Sequence, residues 1–146
     1  MKILPPDKVI SVWLDSNIKL LIDKESFVEE FLGDSDIGAF KHPERNTVAE
    51  EVEAIRTQKE YASDRSRRQS DKHKKLGFKD NQGLYECGVL VIRHSEKTRA
   101  FCEDWWEEIQ SNPRDQVSLP YILSKHNIKL KANLGNVRNH KFFKYE

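Results

Sequence analysis

"VWLDSN", Val12 to Asn17, is the stretch on which the fold turns. A run of apolar residues, Val9, Ile10, Val12, Trp13 and Leu14, ends abruptly in an aspartate and an asparagine one residue apart. A short continuous apolar run is the pattern of a strand covered on both faces. Side chains at i and i+2 of an extended backbone face the same way, so Asp15 and Asn17 are expected to present two oxygen donors together where the strand stops. Two hard oxygen ligands suit Mg²⁺ or Mn²⁺, which in turn would hold phosphate oxygens. An Asx-type turn after a strand accounts for the same residues without any ligand.

Outward from this stretch, 146 residues correspond to one domain, 1–146, by the usual ~100 to 200 residues per domain. Charged residues make up 34%, yet 25 basic residues face 24 acidic ones. No global field for nucleic acid or anionic lipid follows, so any electrostatic function is local. No apolar run approaches the ~18 residues that span a bilayer, and "MKILPPDK" carries no signal-peptide core before its prolines. A soluble protein without a membrane partner is expected. Cys87 and Cys102 lack metal-type spacing and are too few for a disulfide framework. Buried thiols and a cytoplasmic location are the expectation.

The hydrophobic period alternates between short apolar runs and helical patterns, which predicts an α/β protein. Strands are expected over Val9 to Asp15, Asp36 to Phe40, Cys87 to Arg93 and Ile128 to Ala132. Helices are expected over Ser26 to Leu32, from Thr47 with Glu50 in capping-box spacing, over Lys97 to Gln110, and after Pro113. Phe101, Trp105 and Ile109 share one stripe of the third. The alternation predicts a mostly parallel sheet of about four strands flanked by helices, with Val12, Leu14, Val89, Val91, Phe101 and Trp105 in its core. Ligands of such sheets gather at the carboxyl ends of strands, where Asp15 and Asn17 stand; His42 and Arg45 follow the second strand, which suits a site and simple surface solvation equally. Glu51 and Glu53 cannot share a helical face, so at most one points into a site. "RSRRQSDKHKKLGFK", Arg65 to Lys79, is the one strongly basic stretch, and Phe78 is its only aromatic residue. Single-strand binders interleave several aromatics, so nucleic acid is disfavoured against a solvated surface or cations placed over a diphosphate.

"VISVWLDSNIKLL", "IGAFKHPERNTVAEEVEAI", "GLYECGVLVIRH" and "WWEEIQSNPRDQVSLPYIL", taken in order, cover nearly the whole chain. Together they resemble the glycosyltransferase-like domain shared by plant mucilage-related hexosyltransferases, plant alkaline-ceramidase-like proteins and bacterial sugar-transfer proteins. The resemblance implies a GT-A-type fold, with Asp15 and Asn17 in the place of its Asp-x-Asp metal motif. Asn17 replaces an acid there, so the cation would be held by one less negative charge. Asp115 resembles the acid placed near the donor sugar, where a carboxylate can take the proton of an attacking hydroxyl; a first-turn acid favoured by the helix dipole is the alternative. Arg114 and Gln116 flank it, Arg114 suiting phosphate or a carboxylate. Glu86 and Tyr85, ahead of the third strand, suit sugar contact or strand entry equally. His140 stands where GT-A-type proteins take a further metal ligand, and an exposed tail histidine is its other reading.

GT-A-type proteins place nucleotide-binding strands ahead of the Asp motif, whereas only fourteen residues precede Asp15 here. The expectation is a trimmed relative lacking those N-terminal strands, the C-terminal part of a larger domain from a longer reading frame, or a half that completes its sheet against another chain; the open edge of the first strand favours a homo-oligomer or a partner chain. Two functions follow. One is a metal-dependent glycosyltransferase moving a sugar from a nucleotide-diphosphate donor to a glycan or other hydroxyl acceptor. The other is a non-catalytic remnant that serves as a binding or assembly module.

Overall fold

The computed structural model describes residues 9–59 and 61–146. The prolines and start of "MKILPPDK" lie outside the described residues. Four strands form the main sheet: β1 (Ile10–Leu14), β3 (Ile37–Lys41), β4 (Tyr85–Arg93) and β5 (Leu130–Asn133), in the order β1-β4-β3-β5. β2 (Ile18–Leu20) and β6 (Phe143–Tyr145) make a separate antiparallel pair. The five α-helices among the described residues are α1 (Lys24–Phe31), α2 (Val48–Thr57), α3 (Ser63–Lys75), α4 (Glu96–Ser111) and α5 (Asp115–Lys125).

The α/β class and four-strand count hold, but the sheet is mixed rather than mostly parallel. β4 runs antiparallel to both β1 and β3, and only β3 and β5 pair in parallel. Apolar content cannot reveal this, because a nine-residue strand buried on both faces reads the same in either direction. β1, β3 and β5 nevertheless share one direction, so their carboxyl ends collect with the amino end of β4 at a single end of the sheet.

Helices cover both faces. On one, Phe101, Cys102 and Trp105 of α4 and Leu119, Ile122 and Leu123 of α5 pack on Ile37, Ala39, Leu90 and Ile92. On the other, Phe27 and Phe31 of α1 meet Phe40, Val89, Val91, Phe142 and Phe143. Phe27 lies 5.1 Å from the Phe31 ring and edge-on to Phe143 at 5.5 Å, the tilted arrangements that aromatic rings favour. Gly38 permits this seat: a Cβ there would stand 2.4 Å from the Phe31 carbonyl oxygen.

Val89, Val91, Phe101 and Trp105 are core as expected, and Leu14 packs partly buried against the second cluster. Val12 is not core; it is 40% exposed and Trp13 41%. Both sit on β1, which among the described residues forms an edge of the sheet with β4 alone as its neighbour.

Local signals set most helix ends. Thr47 Oγ1 accepts the Glu50 amide at 3.1 Å to start α2, and Ser95 caps α4 reciprocally with Thr98. Gly33, at φ +56°, closes α1. The basic stretch is α3, whose inward face is polar: Ser66, Gln69, Ser70 and His73 are buried. No helix among the described residues is long and apolar enough to cross a membrane.

A candidate active-site cleft at the carboxyl ends of the parallel strands

An open cleft of about 380 Å³ lies at the sheet end where β1, β3 and β5 stop and β4 begins. It gathers six of the ten residues singled out in the sequence: Asp15 and Asn17, His42 and Arg45, Glu86, and Gln116. Glu44, Asn136, Arg138 and Tyr145 complete most of its polar wall.

Asp15 and Asn17 reach it by a different route from the expected i, i+2 strand geometry. The chain turns at once, with Ile18 N–H donating to Asp15 O at 2.9 Å, while Asp15 N–H binds Gly88 O at 2.9 Å. Asp15 Oδ1 accepts from Trp13 Nε1 at 3.3 Å. The carboxylate rests over Gly88, where a Cβ would come within 3.2 Å of Oδ2.

His42 is buried and organises the loop after β3. Its Nδ1 accepts from the backbone N–H groups of Glu44 and Arg45, at 3.1 and 3.0 Å. Its Nε2 stands 3.2 Å from Arg45 Nη2, and burial, with Arg45 beside it, holds its pKa below the ordinary histidine value. Arg45 Nε donates to Glu51 Oε2 at 2.6 Å, and Arg114 Nη2 approaches Glu51 Oε1 at 3.8 Å. Glu51 is the buried member of its pair and Glu53 the solvent-facing one, as their spacing requires.

Glu86 is the carboxylate whose setting is most altered within the cleft. Burial raises its pKa, Arg138 and Arg45 draw it back, and Glu44 and Glu51 push it up further. A carboxylate held above its ordinary range is a stronger base at neutral pH.

Asp115 lies behind the cleft rather than in it. With Asp15, Trp13, Cys87 and Trp105 it lines an adjoining cavity of about 100 Å³, so Asp15 belongs to both. Burial raises the Asp115 pKa; the Cys87 thiol and the Gln116 backbone bonded to it lower it, and the Asp15 charge raises it. Burial likewise drives the Cys87 thiol well up, with the Asp115 charge adding to it. The arrangement is possible because β3 and β4 slip register between Ala39 and Phe40. Cys87 thereby joins Leu90 on the α4–α5 face instead of alternating to the other.

Three further residues do not line the cleft. Tyr85 precedes Glu86 on β4, and neighbouring strand residues point to opposite faces; its hydroxyl donates to Gln82 O at 2.9 Å and it borders a different depression. Arg114 is engaged with Glu51 at the start of α5. His140 is packed between Phe40 and Phe142, with ring centroids at 5.3 and 4.9 Å, and its Nδ1 accepts the Phe142 amide. It does not meet Asp15 in the cleft. Among the described residues no cluster of three or more His, Cys, Asp or Glu side chains is placed to hold a metal ion. Asp15 and Asn17 both line the cleft, and a cation held by them would take its remaining ligands from water and substrate. Nor does any residue of the basic stretch 65–79 line the cleft.

Arg138 and Tyr145 had no sequence signal. They meet because β6 pairs with β2, and Arg138 stacks 4.8 Å over the Tyr145 ring.

The mixed sheet with a polar cleft at one end does not by itself name a class, and comparison with known families supplies it. The chain belongs to the TOD1/MUCI70 glycosyltransferase-like domain family, which it matches over residues 2–144. A curated relative is alkaline ceramidase TOD1 of Arabidopsis thaliana, 26% identical over 144 residues. That alignment takes in 90% of this chain and 31% of the relative, so the chain spans about a third of the relative's length. No solved structure matches the chain.

Proposed function

We propose that this domain transfers a sugar from a nucleotide-diphosphate donor to a hydroxyl acceptor. The observation that carries the reading is Glu86: a half-buried carboxylate with raised pKa in a cleft that Arg45 and Arg138 line together with the amides of Asn17, Gln116 and Asn136. As the acceptor oxygen attacks the anomeric carbon, Glu86 takes the hydroxyl proton. The bond from that carbon to phosphate oxygen breaks, and its electron pair leaves with the diphosphate. Arg45 and Arg138 stabilise the developing negative charge. Asn17, Gln116 and Asn136 are suited to pair with sugar hydroxyls. Asp15 and Asn17 would hold Mg²⁺ or Mn²⁺, which supplies further neutralisation of the leaving group. Asp115 is a positioning residue in this reading, acting on Asp15 from the cavity behind.

Amide hydrolysis is a second reading, favoured by the name of the Arabidopsis relative. Glu86 would then activate water. The polar residues that dominate the described cleft wall suit sugar hydroxyls better than an acyl chain, which favours the sugar.

Among the described residues β1 has one free edge, with Trp13 half exposed, where a second chain or a further strand would add, and light scattering across concentration reads this directly. The function is tested by following nucleoside diphosphate release from a panel of nucleotide sugars with Mn²⁺, alongside calorimetry with the nucleoside diphosphate. Glu86→Gln is expected to lower turnover about a hundredfold or more while binding is retained. Unchanged turnover in Glu86→Gln removes the mechanism. Donor binding without turnover supports a binding module, and ceramide cleavage supports the hydrolase.

A further inference from the structure

The residues of α3 are foreign to the cleft, and their charge is not spread evenly. From Ser63 to Lys79 the chain carries seven Lys and Arg residues against two acids, although the whole chain is nearly neutral. The helix is anchored in one rotation by its polar inner face. Asn112 Nδ2 donates to Ser66 Oγ at 3.2 Å and to Gln69 Oε1 at 3.0 Å, and Gln69 Nε2 donates to Glu108 Oε2 at 2.8 Å. His73, kept neutral by burial, meets Glu108 Oε1 at 3.2 Å. Glu108 is thus committed inward through both oxygens, although it borders the same shallow depression as Arg65, Arg68 and Lys72.

Helical spacing puts Arg65, Arg68, Lys72 and Lys75 along one outward stripe. None of the four has a carboxylate partner within ion-pair distance among the described residues, whereas neighbouring Arg67 is drawn to Asp71 at 3.7 Å. Large apolar side chains stand at both ends of the helix: Tyr61 is 71% exposed and Leu76 60%. A cationic stripe flanked by an interfacial aromatic and a leucine combines charge attraction to anionic headgroups with shallow apolar insertion. Nucleic acid fits less well, because Phe78, the aromatic residue within the stretch, is half-buried against Tyr121.

We propose that the α3 face formed by Arg65, Arg68, Lys72 and Lys75, with Tyr61 and Leu76 at its ends, docks the domain on an anionic lipid surface. This is peripheral contact, with the helix lying along the surface. It does not depend on the chemistry of the cleft.

Flotation of the full chain with vesicles of phosphatidylcholine alone, and of phosphatidylcholine mixed with phosphatidylserine, tests it. The chain is expected to float with the phosphatidylserine vesicles only and to be released as salt rises. R65E/R68E/K72E is expected to cut the bound fraction about tenfold or more, and Leu76→Ser to weaken it further from wild type at fixed salt. R65Q/R68Q/K72Q, with circular dichroism matching the wild type, guards against a folding defect and should show an intermediate loss. Failure of the wild-type chain to float with phosphatidylserine overturns the proposal. So does undiminished binding by both triple variants, or tighter binding to duplex DNA than to these vesicles at equal salt.

Discussion

Arg45 and Glu51 are joined Nε to Oε2 at 2.6 Å, and the Glu51 side chain is only 3% exposed. The same carboxylate faces Arg114 at 3.8 Å and His42 at 4.0 Å. One buried acid on α2 thus ties the loop after β3 to the start of α5, both of which border the cleft. Glu51→Ala leaves two guanidinium groups without their shared counter-charge. Because Arg45 keeps 24% of its side chain in water, the loss is expected at about 2 kcal/mol, below that of a wholly buried pair. Urea denaturation checks this, with Glu53→Ala, at an exposed pair, leaving the midpoint unchanged.

Gly38→Ala is expected to destabilise the domain by about 2 kcal/mol, in the range of an overpacked core. The new methyl would meet the Phe31 carbonyl oxygen, which is already fixed by Asn133 Nδ2 at 2.9 Å. Thermal melting of the variant measures it, and a midpoint equal to wild type shows that α1 can slide away.

Acidification has a sign fixed by three histidines. Burial holds His42, His73 and His140 below their ordinary pKa, so the unfolded chain binds their protons more readily. Stability from these groups is complete above the unfolded value of about 6.5 and is lost as pH falls from there through the depressed folded values. Chemical denaturation at neutral and mildly acidic pH is expected to show the drop, and His73→Gln is expected to shrink it.

Asp115 behaves oppositely. Its folded pKa is raised, chiefly by burial, so the folded state holds the proton more tightly and this group's contribution falls as pH rises from the ordinary carboxylate range through the raised value. Asp115→Asn is therefore expected to gain stability relative to wild type at neutral pH and to lose the advantage in acid. The same variant should reduce nucleotide-sugar turnover about tenfold or more if Asp115 positions Asp15. Paired denaturation curves and turnover assays separate the two effects.

Both thiols are expected to be inert in the native state. Burial pushes Cys102 up to about 12 and Cys87 well above the usual thiol range, so neither forms thiolate at neutral pH. N-ethylmaleimide should label neither until denaturant is added, as mass spectrometry would show. Rapid native labelling of Cys87 would mean that the cavity beside Asp115 opens.

The sequence by itself determined the class of fold, most helix positions and much of the cleft. Thr47 with Glu50, the Phe101–Trp105 stripe and the apolar run of β4 are local patterns, and local patterns suffice to specify helices and strands. Asp15, Asn17, His42 and Arg45 were legible because they follow apolar strands, and Glu86 and Gln116 because they stand at the start of β4 and α5, next to the element ends where ligands gather. Strand direction was not legible, since a strand buried on both faces carries no polarity in its composition. Tertiary structure alone placed β4 antiparallel between β1 and β3 and left Val12 at an open edge. It also used the register slip between β3 and β4 to turn Cys87 onto the α4–α5 face, beside Asp115. Tyr85 and His140 followed the same logic: one faces away by strand alternation, the other is enclosed by phenylalanines from elements far apart in the chain. Arg138 and Tyr145 entered the cleft only through the pairing of β2 with β6, a contact between residues more than a hundred positions apart. Long-range pairings are set by the packing of the whole chain, and no local pattern encodes them.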